Sequence, residues 1–196
     1  MIAALVSRGI RVAIGHPAAT FEQTQAALAA GASLATHLFN AMPPLYHRAP
    51  GAAAAALLAT ECAVALIADG VHLHPAMVQL IARLKPPSSI ILVTDAIAAM
   101  GLPAGSSTLA GRELIVDATS ARLADGTLAG SVLAMDMAVR NYRDFTGCGI
   151  AQALTAATQA PARALGLSDR GRIAPGCRAE LVLLDSQLRV QSTLVA

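Results

Sequence analysis

Short apolar runs alternate with alanine-rich stretches over the first half of the chain. Four such runs end in polar residues, at residues 11–16, 33–40, 63–70 and 89–96. They are too uniformly apolar for strands with one face in water, so we expect strands buried on both faces. Between them lie stretches with helical spacing, at residues 20–31, 49–61 and 74–85. Thr20 suits an N-cap and Pro75 suits a first helical turn. The alternation predicts four successive parallel βα units.

The pattern changes after residue 96. Glycine- and proline-rich turns precede an alternating segment over residues 112–130, in which the Asp125-Gly126 step is typical of a hairpin. Apolar residues then recur at helical spacing over residues 131–146 and 149–167, which predicts two helices. The tail, residues 172–196, predicts a turn followed by two strands.

Composition narrows the class of protein. Of the 196 residues 55% are hydrophobic and 13% charged, which is enough apolar surface for a sizeable core. The 14 Lys and Arg residues are scattered and the formal net charge is +2, so we expect no nucleic-acid partner. Charged residues interrupt every apolar stretch before 18 residues, so we expect no membrane-spanning helix. Three widely separated cysteines predict buried thiols in a reducing compartment, and hence a cytoplasmic protein.

Polar side chains stand where the four candidate strands end. His16 ends the first strand, His37 lies late in the second, His72 follows the third, and Asp95 ends the fourth. In a parallel βα barrel these ends meet at one mouth, where the active site forms. Imidazole and carboxylate are ligands of borderline divalent cations, zinc first among them. The set therefore predicts a metal-dependent active site.

Each of these residues also has a plain structural interpretation. A single strand-end histidine is often only a hydrogen-bonded loop residue, and Asp95 alone is equally well a cap. Arg48 suits a phosphate because its planar fork donates two parallel hydrogen bonds, but it also suits an ordinary surface ion pair. His47 and His74 have the weaker cases, and we expect both to be structural or to support other residues of the site without binding a ligand themselves.

Several segments resemble the N-acetylglucosamine-6-phosphate deacetylase family of the amidohydrolase superfamily, in order and spacing. These segments are GHPAAT, THLFNAMPPLYHRAPG, IADGVHLH, LVTDA, DGTLAGS and ATQAPARALGLSDRGRIAPGCRAELVLLD. The resemblance implies an α/β fold: the second half of a TIM-like (β/α)8 metal-dependent hydrolase barrel plus C-terminal strands of a small β-sandwich. It divides the chain into a partial barrel over residues 1–145, with a β excursion near 106–130, and a terminal helix with sandwich strands over 146–196.

The resemblance also implies roles at matching positions. It implies hydrolysis of N-acetyl-D-glucosamine 6-phosphate to D-glucosamine 6-phosphate and acetate, with a divalent cation that is zinc in first place and iron, manganese or cobalt otherwise. The implied metal ligands are His16 and His37, and the implied catalytic base is Asp95. The implied substrate-binding positions are Asn40, Ala41, Arg48, His72, Leu128, Ala129 and Gly130.

Members of this family are about twice as long, so the resemblance implies that the chain is a fragment or the product of an internal start. The other half would supply a glutamate ligand, which Glu61 and Glu113 cannot replace because neither ends a barrel strand. Two further functions stay open: a hydrolase of cyclic amides, and a non-catalytic half-barrel that complements another chain. We expect a homodimer or a complementing N-terminal half, because four strands alone leave two open edges and an uncovered apolar inner face.

Overall fold

A computed structural model describes residues 1–195. Its main sheet has four parallel strands in the order β1-β2-β3-β4, as the apolar runs predicted. They are β1 (Ala13–Ile14), β2 (Leu34–Ala35), β3 (Ala63–Leu66) and β4 (Ile90–Leu92). A short helix, α1 (Ile2–Val6), precedes the sheet. Within the described residues β1 and β4 each pair with one strand of this sheet only, so both edges of the sheet are open.

Three helices connect these strands, and local sequence accounts for where they begin. They are α2 (Phe21–Ala29), α3 (Gly51–Leu58) and α4 (Pro75–Leu84). Thr20 caps α2 through a capping box: its hydroxyl accepts from the Gln23 amide, and the Gln23 side chain accepts from the Thr20 amide. Pro75 occupies the first turn of α4, where a missing N–H costs nothing. The predicted positions of Thr20 and Pro75 are therefore confirmed.

The two faces of the sheet pack against different helices. Val64, Leu66 and Ile90 of one face lie in the main core with side chains from α3 and α4. The other face carries Ala63 and Ala65, which are buried with Ile91 against Ala160. The expectation of an uncovered apolar inner face is therefore wrong for β3 and β4, because a C-terminal helix packs over their small side chains.

A second sheet follows β4 and has its own small core. It contains the antiparallel strands β5 (Gly105–Leu109), β6 (Arg112–Val116) and β7 (Ala121–Leu123). Leu114, Val116 and Ala121 are buried together in it. The predicted β segment is confirmed, and Asp125-Gly126 forms the tight turn after β7, in which Leu123 and Thr127 are hydrogen-bonded. Asp117 closes the turn between β6 and β7 by accepting from the amides of Thr119 and Ser120.

Helices dominate the remainder of the chain before a final hairpin. They are α5 (Met135–Thr146), α6 (Ile150–Ala157) and α7 (Gln159–Leu165). The single helix predicted over 149–167 is wrong, because Thr158 leaves the helical region with φ −131° and ψ −79°. This break turns α7 toward the sheet face that Ala160 covers. The hairpin pairs β8 (Leu181–Leu184) with β9 (Val190–Leu194), as predicted for the tail. Among residues 1–195, no helix is both long and apolar enough to cross a bilayer.

Candidate active site

The candidate residues at the strand ends share an unusual backbone conformation. His16, His37 and Asp95 have φ values of 48°, 25° and 50°, and Phe39 and Ala41 in the loop after β2 have 74° and 51°. Only seven non-glycine residues among those described have positive φ, so five of the seven lie at this end of the sheet. Such conformations cost about 1–3 kcal/mol each and persist where the surroundings enforce them. The fold therefore holds these residues in strained positions at the carboxyl ends of the strands.

His16 and His37 meet across the ends of β1 and β2. Their Nε2 atoms are 2.6 Å apart, and their rings stack with centroids 4.6 Å apart and planes inclined by 28°. His37 is buried, with 6% of its surface exposed, whereas His16 is exposed. The His37 Nδ1 atom is buried and has no hydrogen-bond partner among the described residues. Two imidazole nitrogens at this distance can share a proton, whereas a tetrahedral cation about 2.0–2.1 Å from each would need them about 3.3 Å apart, a small outward movement of the rings.

The histidine pair fits a divalent cation only in part. Imidazole nitrogen suits zinc and related metals, and the two Nε2 atoms face one point. However, the described residues contain no group of three or more His, Cys, Asp or Glu side chains placed to hold one ion. Within residues 1–195, the pair therefore offers two imidazole nitrogens at this point and no third side chain of these types beside them.

Asp95 lies beside residues 128–130, the segment for which the family resemblance implies contact with the substrate. The Asp95 carbonyl accepts a hydrogen bond from the Ser131 amide at 2.8 Å, and Ile97 donates to the Ser131 carbonyl at 3.0 Å. Ser131 is fully buried, and its hydroxyl donates to the Thr94 carbonyl. This clamp places Leu128, Ala129 and Gly130 directly before Ser131 and next to the end of β4. The Asp95 side chain is exposed.

Gly130 makes the closest of these approaches, which gives a test of the clamp. A Cβ at Gly130 would meet Ile97 Cγ2 at 2.5 Å and the Asp95 carbonyl oxygen at 3.1 Å, and φ is 89°. Gly126 has nearly the same φ, 85°, but open space around it. Gly126→Ala therefore carries backbone strain alone, whereas Gly130→Ala adds a steric clash of about 1–3 kcal/mol.

We expect Gly130→Ala to lower the free energy of unfolding by about 1–3 kcal/mol more than Gly126→Ala does, as measured by urea denaturation. Equal losses for the two variants would show that residue 130 tolerates a side chain and that the clamp is loose.

His72 is held by a neighbour that the sequence interpretation missed. Its Nδ1 atom lies 2.6 Å from Asp69 Oδ2, and each of the two side chains is 5% exposed. Asp69 Oδ1 accepts from the amides of Val71 at 2.8 Å and of His72 at 2.7 Å. Burial raises the pKa of Asp69, but the hydrogen bonds from the His72 ring and these amides outweigh it, so the pKa lies below its ordinary value. The aspartate three residues before a strand-end histidine was the available signal.

The loop after β2 carries the remaining candidates. The Asn40 amide donates to the His37 carbonyl at 3.0 Å, and its side chain donates to the same oxygen at 3.2 Å. Asn40 thus stabilises the turn that places His37, while its role toward substrate stays a prediction. Ala41 and Arg48 are both exposed. Arg48 forms no ion pair or hydrogen bond with any of residues 1–195. The alternative that Arg48 belongs to a surface ion pair therefore has no support within these residues.

Two residues were expected to be structural. His74 is the N-cap of α4 and accepts from the Ala76 amide at 3.2 Å, which confirms a structural role. His47 is exposed in the loop beside Arg48. Glu113 accepts from the Ser106 hydroxyl on the second sheet, away from the ends of the parallel strands.

Comparisons with known proteins match this architecture. The amidohydrolase family model matches residues 2–196. The chain is 40% identical to an N-acetylglucosamine-6-phosphate deacetylase of Lysinibacillus sphaericus, covering 100% of the chain and 50% of that protein. It is 44% identical to an N-acetylgalactosamine-6-phosphate deacetylase of Escherichia coli O157:H7, covering 95% and 50%.

A solved structure is similar over the same extent. It is the N-acetyl-D-glucosamine-6-phosphate deacetylase of Mycobacterium smegmatis, an Asp-to-Ala variant in complex with N-acetyl-D-glucosamine-6-phosphate. The match has 40% identity and a TM-score of 0.93, covering 99% of this chain and 52% of that one. The chain thus spans about half the length of the relatives that it matches. With a family model that covers residues 2–196 and a shared mixed α/β fold, the chain belongs to the amidohydrolase family.

Proposed function

We propose that this chain carries the metal-binding histidines and the catalytic base of an N-acetylglucosamine-6-phosphate deacetylase. The reaction is hydrolysis of the N-acetyl amide of the 6-phosphorylated sugar, which yields D-glucosamine 6-phosphate and acetate. The observation that carries the proposal is the pairing of His16 and His37 at the ends of adjacent parallel strands, with Nε2 atoms 2.6 Å apart. The relatives named as deacetylases of phosphorylated amino sugars support the substrate class.

The four parallel strands form half of a (β/α)8 barrel in this proposal, and the hairpin β8–β9 belongs to a small β-sandwich. Two observations support it. Both edges of the main sheet are open within the described residues. The hairpin also leaves apolar side chains in water: Val182, Leu183 and Leu194 are 54%, 63% and 59% exposed. A complementing half of the protein would cover both the open sheet edges and the exposed face of the hairpin. It would contribute four barrel strands, a further metal ligand and sandwich strands.

His16 and His37 are the residues that would hold a divalent cation, zinc in first place, since their imidazoles face each other across the ends of β1 and β2. When bound, the cation supplies Lewis acidity that eases deprotonation of water and polarises the amide carbonyl. The chain's own contribution is placement, because the strained turns after β1 and β2 fix both rings before any ligand arrives. The buried position of His37 also keeps its ring in one orientation.

Asp95 acts as the base and then as the acid. Its carboxylate takes a proton from the attacking water and returns it to the leaving nitrogen as the C–N bond breaks. The Ser131 clamp on the Asp95 carbonyl fixes the backbone while the exposed side chain stays open to the substrate. Residues 128–130 border the sugar on the same side, since they lead directly into the clamp.

In this proposal the phosphate group of the substrate lies near the loop after β2 and near His72. Arg48 has a free guanidinium and Ala41 has a backbone amide without a hydrogen bond to a described backbone group. Both can donate to phosphate oxygens, and the guanidinium can do so with two parallel bonds. His72 presents Nε2, since its other ring nitrogen is bound to Asp69.

A second substrate is favoured by one comparison. The 44% identical relative acts on the galacto epimer by its name, N-acetylgalactosamine-6-phosphate deacetylase. The two sugars differ at one hydroxyl, whereas the amide and the phosphate that the proposed residues serve are common to both. Assays on both sugars therefore decide which epimer is the substrate. An assay on a cyclic amide tests the alternative function, hydrolysis of cyclic amides.

The proposed location is the cytoplasm. Cys62, Cys148 and Cys177 are free thiols, which suits a reducing compartment. The substrate is a phosphorylated small molecule, and phosphorylated sugars are used inside cells.

The experiment that tests the proposal uses a hybrid enzyme, which we define as the half of the Lysinibacillus sphaericus relative outside the match, joined to this chain. With zinc supplied, we expect the hybrid to release acetate from the 6-phosphorylated N-acetyl sugar. Failure of a folded, zinc-loaded hybrid to act on either epimer, or activity on the cyclic amide alone, would contradict the proposal.

Arg48 gives a sharper test of the phosphate assignment. We expect Arg48→Ala in the hybrid to raise KM for the phosphorylated sugar by about 10- to 100-fold, the value of a charge-assisted hydrogen bond, and to change little for the unphosphorylated sugar. Arg83→Ala, an exposed arginine on α4, is the matched control. An equal loss for both sugars would reassign Arg48 to structure.

A further inference from the structure

The loop between β3 and α4 is held rigidly around one buried carboxylate. Ile67 and Ala68 are fully buried, and the Asn141 side chain on α5 donates to the Ala68 carbonyl at 2.8 Å. Asp69 follows directly, and its Oδ1 atom closes the next turn by accepting two backbone amides. Asp69 is therefore fixed on both sides along the chain. The Asn141 contact holds the residue before it, and its own carboxylate is bound to the turn that follows it.

The proton on the His72 ring follows from this geometry. The pKa of Asp69 lies below its ordinary value, so the group is a carboxylate at neutral pH and can only accept hydrogen bonds. Its Oδ2 atom lies 2.6 Å from His72 Nδ1. The hydrogen atom must therefore be on Nδ1. This leaves Nε2 as the ring nitrogen that makes no hydrogen bond with a described residue.

We propose that Asp69 is a positioning residue that fixes the proton of His72 on Nδ1 and thereby presents Nε2 to the substrate. The role of His72 in binding substrate rests on the proposed function. The tautomer does not, because it follows from the contact between Asp69 and His72 alone. A histidine that donates through Nδ1 to a buried carboxylate also loses its freedom to flip, so the ring meets the ligand in one orientation.

Asp69→Asn is the variant that separates positioning from folding. The introduced asparagine can keep its side-chain oxygen on the two backbone amides, while its amide nitrogen replaces Oδ2 and becomes a donor toward His72. The neutral ring must then accept at Nδ1 and carry its proton on Nε2. Asp117→Asn is the matched control, because Asp117 also accepts two backbone amides with one oxygen but has no imidazole partner.

The tautomer of His72 is read by ¹⁵N NMR on the 196-residue chain at a pH where the ring is neutral. We expect a protonated Nδ1 and an unprotonated Nε2 in the wild type and in Asp117→Asn, and the reverse in Asp69→Asn. A wild-type ring protonated on Nε2 would overturn the inference without any variant. An unchanged tautomer in a folded Asp69→Asn chain would overturn it as well.

Activity of the hybrid supplies the functional readout. We expect Asp69→Asn to lower kcat/KM by about 10- to 100-fold, mainly through KM, as is usual for a residue that orients a ligand-binding histidine. Asp117→Asn should leave both constants unchanged. Tautomers as expected with an inactive wild-type hybrid would refute the proposed function and leave only the placement of the His72 proton by Asp69 supported. A reversed tautomer with unchanged kcat/KM would overturn the positioning role of Asp69.

Discussion

Replacing Asp95 by asparagine in the hybrid enzyme should lower kcat by about 10²- to 10⁴-fold, because the reaction loses the group proposed to accept and return a proton. The KM should change far less, since asparagine keeps the size and polarity of the side chain. The steady-state rate of acetate release measures both constants. Asp144→Asn is the matched control, since Asp144 is exposed on α5 and pairs with Arg143.

The pH profile separates a base from a merely polar residue. A group that accepts and returns a proton during the reaction makes the rate depend on pH. In Asp95→Asn the residual activity should lose that dependence. An Asp95→Asn enzyme with a wild-type rate and profile would show that another group moves the proton.

Replacing His37 should abolish metal binding by the hybrid. His37 is buried at the end of β2 with Nε2 facing His16, so His37→Asn removes one of the two proposed ligands. We expect bound zinc, measured by mass spectrometry after dialysis, to fall from about one ion per hybrid molecule to near zero, with activity lost in parallel. His74→Asn is the control, because asparagine also caps a helix well.

Two results would contradict this assignment. Zinc retained by His37→Asn at the wild-type stoichiometry would place the ion elsewhere. Activity lost while zinc is retained would make His37 a substrate residue rather than a ligand.

The parallel sheet was predictable because its signal is local and repeated. Each strand is an apolar run buried on both faces, and each helix between them begins at a recognisable residue such as Thr20 or Pro75. The convergence of His16 and His37 followed from parallel topology, since strand ends of neighbouring βα units lie side by side. Their roles as ligands remain predictions.

Other features depend on contacts that a sequence pattern does not carry. The break at Thr158 is an exception with a local signal, because Pro161 lacks the N–H that a continuing helix would donate to the Ala157 carbonyl. Asp69 was missed because its partner is a side chain three residues away, in a loop rather than on a helix face. The clamp from Ser131 to Asp95 joins residues 36 positions apart, so no local pattern marks it.

The open sheet edges and the exposed hairpin bear on how the chain exists in solution. Apolar surface in contact with water costs about 25 cal/mol per Å², and unpaired strand edges invite association. We therefore expect the chain alone to self-associate, either as a dimer or as larger species. Light scattering coupled to size-exclusion chromatography measures this directly.

The central claim is that this chain supplies the metal-binding pair and the base to a site completed by another half. The direct test is zinc-supplied acetate release from the 6-phosphorylated N-acetyl sugar, by this chain alone and by the same chain co-expressed with the half of the relative used in the hybrid. We predict turnover only when the two halves are together, and its loss when His37 or Asp95 is replaced. A stable monomer of this chain alone that turns over at about 1–10³ s⁻¹, the ordinary range of enzymes, would contradict the claim.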